Sequence, residues 1–439
     1  MMRLVFCLLL AVQLQAAWKA GAAKVSITPG ESIWMAGFAS RTKPSEGVRQ
    51  EIWSKALALE DAAGTRSLLV TLDLVSIRPH IADAVAAHVK EKHGIPRERL
   101  LLNVSHTHSA PIVGDFTSYE SRMGEYLEKQ RPVIARYTAA LPDKINESID
   151  KAIAALAPAS LHYEQGFAGF AVNRRRVTNR TWPGPVDHDV PVLAIGSNGR
   201  IRAIVFGYAC HNTVLSDNRI NGDYAGYAQE ALERQYPESI ALFVQGAGAD
   251  ANALPRNTVE AAERYGATLA QAVDLVLKGK MRSVSDGLTA VMEKPEIRFR
   301  PLASREELQK RLATTTGYER EHAQRMLGKL DRGEKVTDRY PYPIQAWRFG
   351  REFTLLALGG ELVVDYALRF KQKYGWQTTW IAGYSNDVFG YIPSKRVWRE
   401  GGYEGGGAFL FSSFPGPLDE ETEEVIATSV DGIMTKVQR

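Results

Sequence analysis

Hydrophobic and polar positions along this chain sort into short runs that are apolar throughout and longer runs with apolar residues at helical spacing. "EIWSKALALED" alternates and "SLLVTLDLV" is continuous. Both predict strands, the second buried on both faces because it leaves no position for water. "PHIADAVAAHVKEKHG" sets Ile81, Ala84, Val85 and His88 at helical spacing, with Gly94 as a stop. "RLLLNVSHTH" predicts another buried strand. This strand–helix–strand succession is a βαβ-like opening of an α/β fold.

Further along, "LPDKINESIDKAIAALAP" predicts an amphipathic helix with Pro158 beyond its end. "VPVLAIGS" and "IRAIVFGYACH" predict a hairpin joined by Asn198-Gly199. "DYAGYAQEALERQYP" predicts a helix, "IALFVQGAGAD" a strand entering a Gly-rich turn, and "TVEAAERYGATLAQAVDLVLKG" a long helix. Residues 303–335 are highly charged and predict a solvated helical hairpin on the surface, His322 included. "FTLLALGGELVVDYALRFKQKYG" reads as strand, turn and helix, "TTWIAGYSNDVFGYIP" as a strand and a polar loop, and "EETEEVIATSVDGIMTKV" as a last amphipathic helix. No Pro/Ser linker, low-complexity tract or internal repeat interrupts the series. The expectation is α/β, a single large domain with a mixed β-sheet core and surrounding helices.

Composition changes this picture little. The 439 residues are 45% hydrophobic and 24% charged, an ordinary soluble balance. The formal charge of +4, without a long basic run or basic-aromatic interleaving, offers no case for nucleic acid. The N-terminus "MMRLVFCLLLAVQLQAAWKAGAAK" joins Arg3, an apolar stretch and small alanines, which predicts a secretory signal over 1–17 and a secreted or periplasmic domain over 18–439. No later segment is apolar for the ~20 residues of a membrane helix. Removal of the signal would leave Cys210 alone, so the mature fold relies on its core rather than a disulfide.

Among nine histidines, His80, His88 and His93 lie on or beside a mixed-face helix and read as structural or solvated. His106, His108, His188 and His211 are the candidates for chemistry. His106 and His108 follow a buried strand, where residues two apart share a face, so both rings can point at one spot. His211 also follows a strand, which suggests two strand ends converging on one metal. Glu361, after Gly359-Gly360, either starts a helix as a dipole partner or belongs to a crowded site that needs close backbone approach. Asp250 and Asn252 are the polar members of the turn "QGAGADAN", and Asp223 reads as an N-cap. Tyr391 and Tyr403 sit among glycines and polar residues, where packing explains them less well.

The ordered set "AGAAKVSITPG", "WMAGFASR", "NVSHTHSAP", "NRRR", "ACHNTVLS", "GDYAG", "FVQGAGADAN", "LGGELVV", "AGYSNDVFGYI" and "GGYEGG" resembles the catalytic domain of the neutral/alkaline non-lysosomal ceramidases. That resemblance implies one Zn2+ per chain held by His106, His211, Glu361 and Tyr391, and amide hydrolysis through metal-bound hydroxide. It implies His108 as proton shuttle, Tyr403 as oxyanion stabiliser and Arg174 near the reaction centre. Two departures stand out. Asn252 occupies the place of a family serine, and asparagine is no nucleophile, which favours the metal route with Asn252 as a catalytic hydrogen-bond donor. The family pattern continues into a C-terminal β-sandwich, and the expectation from residues 18–439 is the catalytic region alone. The implied substrate is a small-molecule amide or ester, with a lipid such as ceramide one candidate. A zinc esterase, lactonase or carbohydrate deacylase, or a non-catalytic binding protein, are the alternatives. A long apolar groove above His108 would fit a fatty acyl group, and a short polar pocket a sugar or amino-acid derivative.

Overall fold

The computed structural model describes residues 18–176, 184–197 and 199–438. The expected signal over 1–17 and Asn198 of the expected hairpin lie outside the described residues.

The apolar runs become strands β1 (Trp18–Ser26), β2 (Trp53–Glu60), β3 (Arg66–Leu72), β4 (Leu100–Val104), β5 (Ala157–Phe167), β6 (Asp189–Ser197), β7 (Arg200–Tyr208) and β8 (Ile240–Gln245). They hydrogen-bond in the order β4-β3-β2-β1-β5-β6-β7-β8, and Arg282–Ser283 adds to β5. The sheet is mixed, because β3 runs parallel to β4 and β7 to β8 while the other neighbours are antiparallel. β2 is buried along nearly its whole length, so its alternation in sequence does not mark a wet face. A second sheet, β9 (Leu288–Glu293), β10 (Ile344–Phe349), β11 (Phe353–Leu358) and β12 (Thr379–Ala382), packs on the first.

The interface between the sheets is one buried cluster that joins Trp18, Leu57, Leu101 and Tyr163 to Trp347, Phe353 and Trp380. Tyr163 stacks on Phe353 at 3.9 Å between ring centroids. Removing each such large side chain from water is worth about 1.5–3 kcal/mol, which makes this layer the main reason the sheets stay together.

Helices cover both outer faces. On the first sheet lie α1 (Pro79–His93), α2 (Leu127–Ala154), α3 (Asp223–Gln235) and α4 (Val259–Lys278). Gly94 ends α1 in a left-handed conformation, φ 67°, that glycine adopts without strain. α2 begins well before the amphipathic stretch read from sequence and holds Pro132 and Pro142 inside it. Of the remaining helices, α5 (Arg305–Thr314) and α6 (Gly317–Asp331) form the charged hairpin, while α7 (Val364–Tyr374) and α8 (Thr422–Val437) pack on the second sheet. No helix among the described residues is long and apolar enough to cross a membrane.

The feature that positions the site is the approach of the two ends of the first sheet. Asn103 on β4 accepts the Gln245 N–H of β8 at 2.8 Å with its side-chain oxygen. The loops leaving β4 and β7 then bond directly: His108 N–H donates to the Asn212 carbonyl at 3.1 Å. Asn212 in turn donates to the Ser105 carbonyl.

Candidate metal centre

The strand beneath His106 ends at Val104, and His106 itself is left-handed, φ 61°. Strand alternation therefore does not present the two rings, contrary to the expectation from spacing. A turn does, and it is held by backbone bonds from Ser105 N–H to Leu72 O and His106 N–H to Leu74 O, both 2.9 Å. A non-glycine residue at positive φ is costly and persists where its surroundings over-determine it. Tyr384, at φ 51°, lays its ring 4.6 Å from that of His106.

The second nitrogen of each ring decides what the first one offers. His106 Nδ1 lies 2.6 Å from the Val75 carbonyl and His211 Nδ1 lies 2.7 Å from the Gly248 carbonyl. A carbonyl only accepts, so both Nδ1 atoms carry a proton, and each ring, holding that proton alone, presents an Nε2 lone pair inward. Those lone pairs face other electron-rich atoms. His108 Nε2 is 3.1 Å from His106 Nε2. Glu361 Oε2 is 3.2 Å from His106 Nε2 and 3.3 Å from His211 Nε2. Tyr391 Oη is 3.3 Å from His211 Nε2.

Glu361 does not open a helix. It lies in a two-residue strand, Glu361–Leu362, that pairs in parallel with Tyr391–Ile392 and so brings Glu361 opposite Tyr391. Its Oε2 is buried with no hydrogen-bond partner. Burial pushes this carboxyl up, but His106 and His211 outweigh it and hold it well below the ordinary range. Burial first, and then Arg174, lowers His211 to about 4, so its ring is neutral at pH 7. Burial, with the His106 and His211 rings beside it, puts His108 well below its ordinary value. Buried lone pairs that point at one another repel unless a cation lies among them, so the donor set fits a divalent metal. Among the described residues two groups have such spacing, His106 with His108 and His211, and His88 with His93 and Asp150.

Of the three consecutive arginines, Arg174 is the one that reaches the centre. Its Nη2 donates to Tyr391 Oη at 2.9 Å and its Nε to Glu404 at 2.7 Å, whereas Arg175 and Arg176 bond Glu404 and Glu400. A cavity of about 330 Å³ opens beside the cluster, with His106, His108, Glu361, Tyr391 and Tyr403 in its wall. Tyr403 is 48% exposed at the rim, yet the surrounding walls and then Glu361 raise its phenol above the ordinary value. Arg174 and Asn252 are not part of that wall. Asn252 pairs with His211 in an isolated β-bridge, and its side-chain oxygen accepts from Thr213 at 3.4 Å.

Other expected residues take structural places. His188 donates to the Ala171 carbonyl, away from the cluster. Asp250 caps α7 by accepting Val364 N–H at 2.9 Å. Asp223 is the first residue of α3 rather than its cap, and its carboxylate accepts from Val214, Leu215 and Tyr224 N–H. His322 is buried, not solvated, and bonds the Phe414 carbonyl. With Lys329, which donates to Ser413 O, it ties α6 to the loop that brings Phe409, Phe411 and Ser412 into the cavity wall.

Sequence reasoning passed over Gly37, Tyr384 and Glu404. A Cβ at Gly37 (φ 94°) would fall 2.4 Å from the His108 ring, so only glycine leaves room for it. The surrounding "WMAGFASR" was the one available signal.

With this geometry in view, residues 18–262 match the family described as neutral/alkaline non-lysosomal ceramidase, N-terminal. The chain belongs to that family. It is 28% identical over 265 residues to the neutral ceramidase of Pseudomonas aeruginosa; the match takes in 55% of this chain and 38% of that relative's length. A crystal structure of the neutral ceramidase from Pseudomonas aeruginosa superposes with TM-score 0.73 at 21% identity, covering 97% of this chain and 75% of the other. A ceramidase complexed with C2 superposes with TM-score 0.70 at 19% identity, covering 93% and 73%. These likenesses establish the fold that the family member shares with them.

Proposed function

We propose that this family member is a zinc-dependent hydrolase of N-acyl amides, with ceramide one candidate substrate. The observation that carries the reading is the inward convergence of the His106 and His211 lone pairs on Glu361 Oε2, an orphaned buried oxygen. His106, His211, Glu361 and Tyr391 would hold one Zn2+. When bound, such an ion acts as a Lewis acid and lowers the pKa of water to about 7.

The chain's own residues supply the rest. His108 lines the cavity and, with its depressed pKa, is unprotonated at neutral pH. It takes the proton of the attacking water and returns it to the leaving nitrogen. The amide C–N bond breaks, the water oxygen forms the new C–O bond, and the amine leaves with the proton. Tyr403 keeps its proton and donates to the oxyanion that develops on the carbonyl oxygen. Arg174 lies behind Tyr391 and acts as a positioning residue through its bond to Oη. Asn252, outside the cavity wall, supports the His211 segment rather than the substrate. The leader 1–17 supports export, so the reaction would run outside the cytoplasm.

The test is an assay of purified protein, before and after chelation and with zinc restored, on ceramide and on short N-acyl amides and their ester analogues. Zinc-restored cleavage of an amide is expected. Cleavage of esters alone would move the reading to an esterase, and no hydrolysis of either would end it.

A further inference from the structure

The cavity wall is not made of aromatic rings and the histidine cluster alone. Arg78 and Arg122 also face it, and neither is answered by a carboxylate among the described residues. Arg78 makes one long contact, Nη1 to the Val388 carbonyl at 3.5 Å, and its Nε is buried without a partner. Its charge acts on Asp387, which is itself engaged by Tyr340 and pushed up to about 6 by burial.

Arg122 lies over the rings of Tyr119, Tyr318 and Phe411 at 5.4, 5.0 and 5.4 Å. Ring contacts of this kind use none of the guanidinium N–H donors, and among the described residues no hydrogen bond or ion pair takes them. Other acids close in sequence or space are taken: Glu120 pairs with Arg131, Glu321 with Arg325, and Asp115 accepts from Thr117. Two guanidiniums with unused donors on the wall of one small cavity suit an anion, which they would bind through charge-assisted and bidentate bonds. A neutral lipid amide would leave those donors unmet.

Resting on the hydrolase reading above, we infer that the substrate is an N-acyl amide whose amine portion carries a carboxylate, an N-acyl amino acid, and that Arg78 and Arg122 bind that carboxylate. The cavity volume of about 330 Å³ lies at the small end of ligand sites, and it matches an amino-acid head with a short or protruding acyl chain. Hydrolysis then yields a carboxylic acid and a free amino acid, with one water consumed.

The test separates binding from turnover. Calorimetry on chelator-treated protein compares N-hexanoylglycine with its neutral N-methylamide, which removes both cleavage and metal coordination from the comparison. The acid is expected to bind at least about tenfold more tightly, the range of hydrogen bonds to charged groups. The preference should shrink to under about threefold in Arg78→Gln/Arg122→Gln. Arg78→Gln alone, which leaves the Arg122 stack in place, should lose part of it even if the double variant misfolds. Equal binding of the two probes by the unaltered protein would overturn the inference, and so would a preference that survives in the variants. Tight binding of the acid with no zinc-dependent cleavage would leave the anion site standing and remove the hydrolase reading instead.

Discussion

Two places among the described residues bring two histidines and a carboxylate together, and they differ in kind. At the centre, His106 and His211 give their Nδ1 protons to backbone carbonyls and turn bare Nε2 atoms toward Glu361. Between α1 and α2, His88 and His93 reach Asp150 Oδ1 at 3.2 and 2.6 Å, but Lys92 already holds Oδ2 at 2.6 Å. Burial works against the Asp150 charge, yet Lys92, His93 and His88 lower its pKa to about 2. That carboxylate has its cation. The outer cluster is a tie between two helices, whereas the inner one is a set of donors that lacks anything to donate to. Both set two imidazoles within 3.3 Å of a carboxylate. What separates them is where the protons and countercharges have been put.

Substitutions test this contrast, starting with the largest effect. His106→Ala should cut metal affinity by more than the ~10–100-fold typical of outer partners, so zinc falls from about one per chain toward none by elemental analysis. Full zinc occupancy in that variant would erase the distinction between the two clusters. His108→Ala should retain zinc and lose about 10²–10⁴ in kcat, measured on whichever amide the protein cleaves. Gly37→Ala sets a methyl 2.4 Å from the His108 ring and should lower kcat by about 10²-fold through misplacement of that ring, with zinc and far-UV circular dichroism unchanged.

Smaller effects belong to the periphery. Burial, against the bond to Phe414 and with Arg325, Arg311 and Lys329 nearby, holds His322 below its ordinary 6.5. A depressed folded pKa means the undocked state binds the proton more readily. The seam between α6 and loop 409–414 is therefore firm above pH 6.5 and weakens as pH falls below it. The protection factor of amides in that loop, corrected for the intrinsic exchange rate at each pH, should fall a few-fold between pH 7 and 5, and His322→Gln should flatten the trend. Asp150→Asn should cost about 0.2–1 kcal/mol by urea melts, since the group is partly exposed and screened, and leave the zinc content unchanged. A loss of metal there would make the outer cluster a second site.

Much of this was legible from the chain. Short apolar runs became strands because a residue with no wet side must sit inside a layered sheet, and "PHIADAVAAHVKEKHG" ended at Gly94 as its chemistry dictates. His106, His211, Glu361 and Tyr391 were expected together and lie together, but strand alternation is not what brings His106 and His108 to one spot. Alternation on a strand would have pointed both rings one way, whereas a left-handed His106 does so here. Glu361 stayed open between a helix start and a crowded site, because a two-residue parallel pairing with Tyr391 depends on residues thirty positions apart and leaves no local period.

Residue types, their order and their local periods determined the α/β class, the element list and the candidate donors, since each depends on neighbours within a few positions. The tertiary structure alone decided which histidines keep a lone pair, which of three arginines reaches Tyr391, and that Arg78 and Arg122 share a cavity with them. Those outcomes depend on distances between segments far apart in the chain. They are set by the closing of β4 against β8, and no short stretch of sequence carries them.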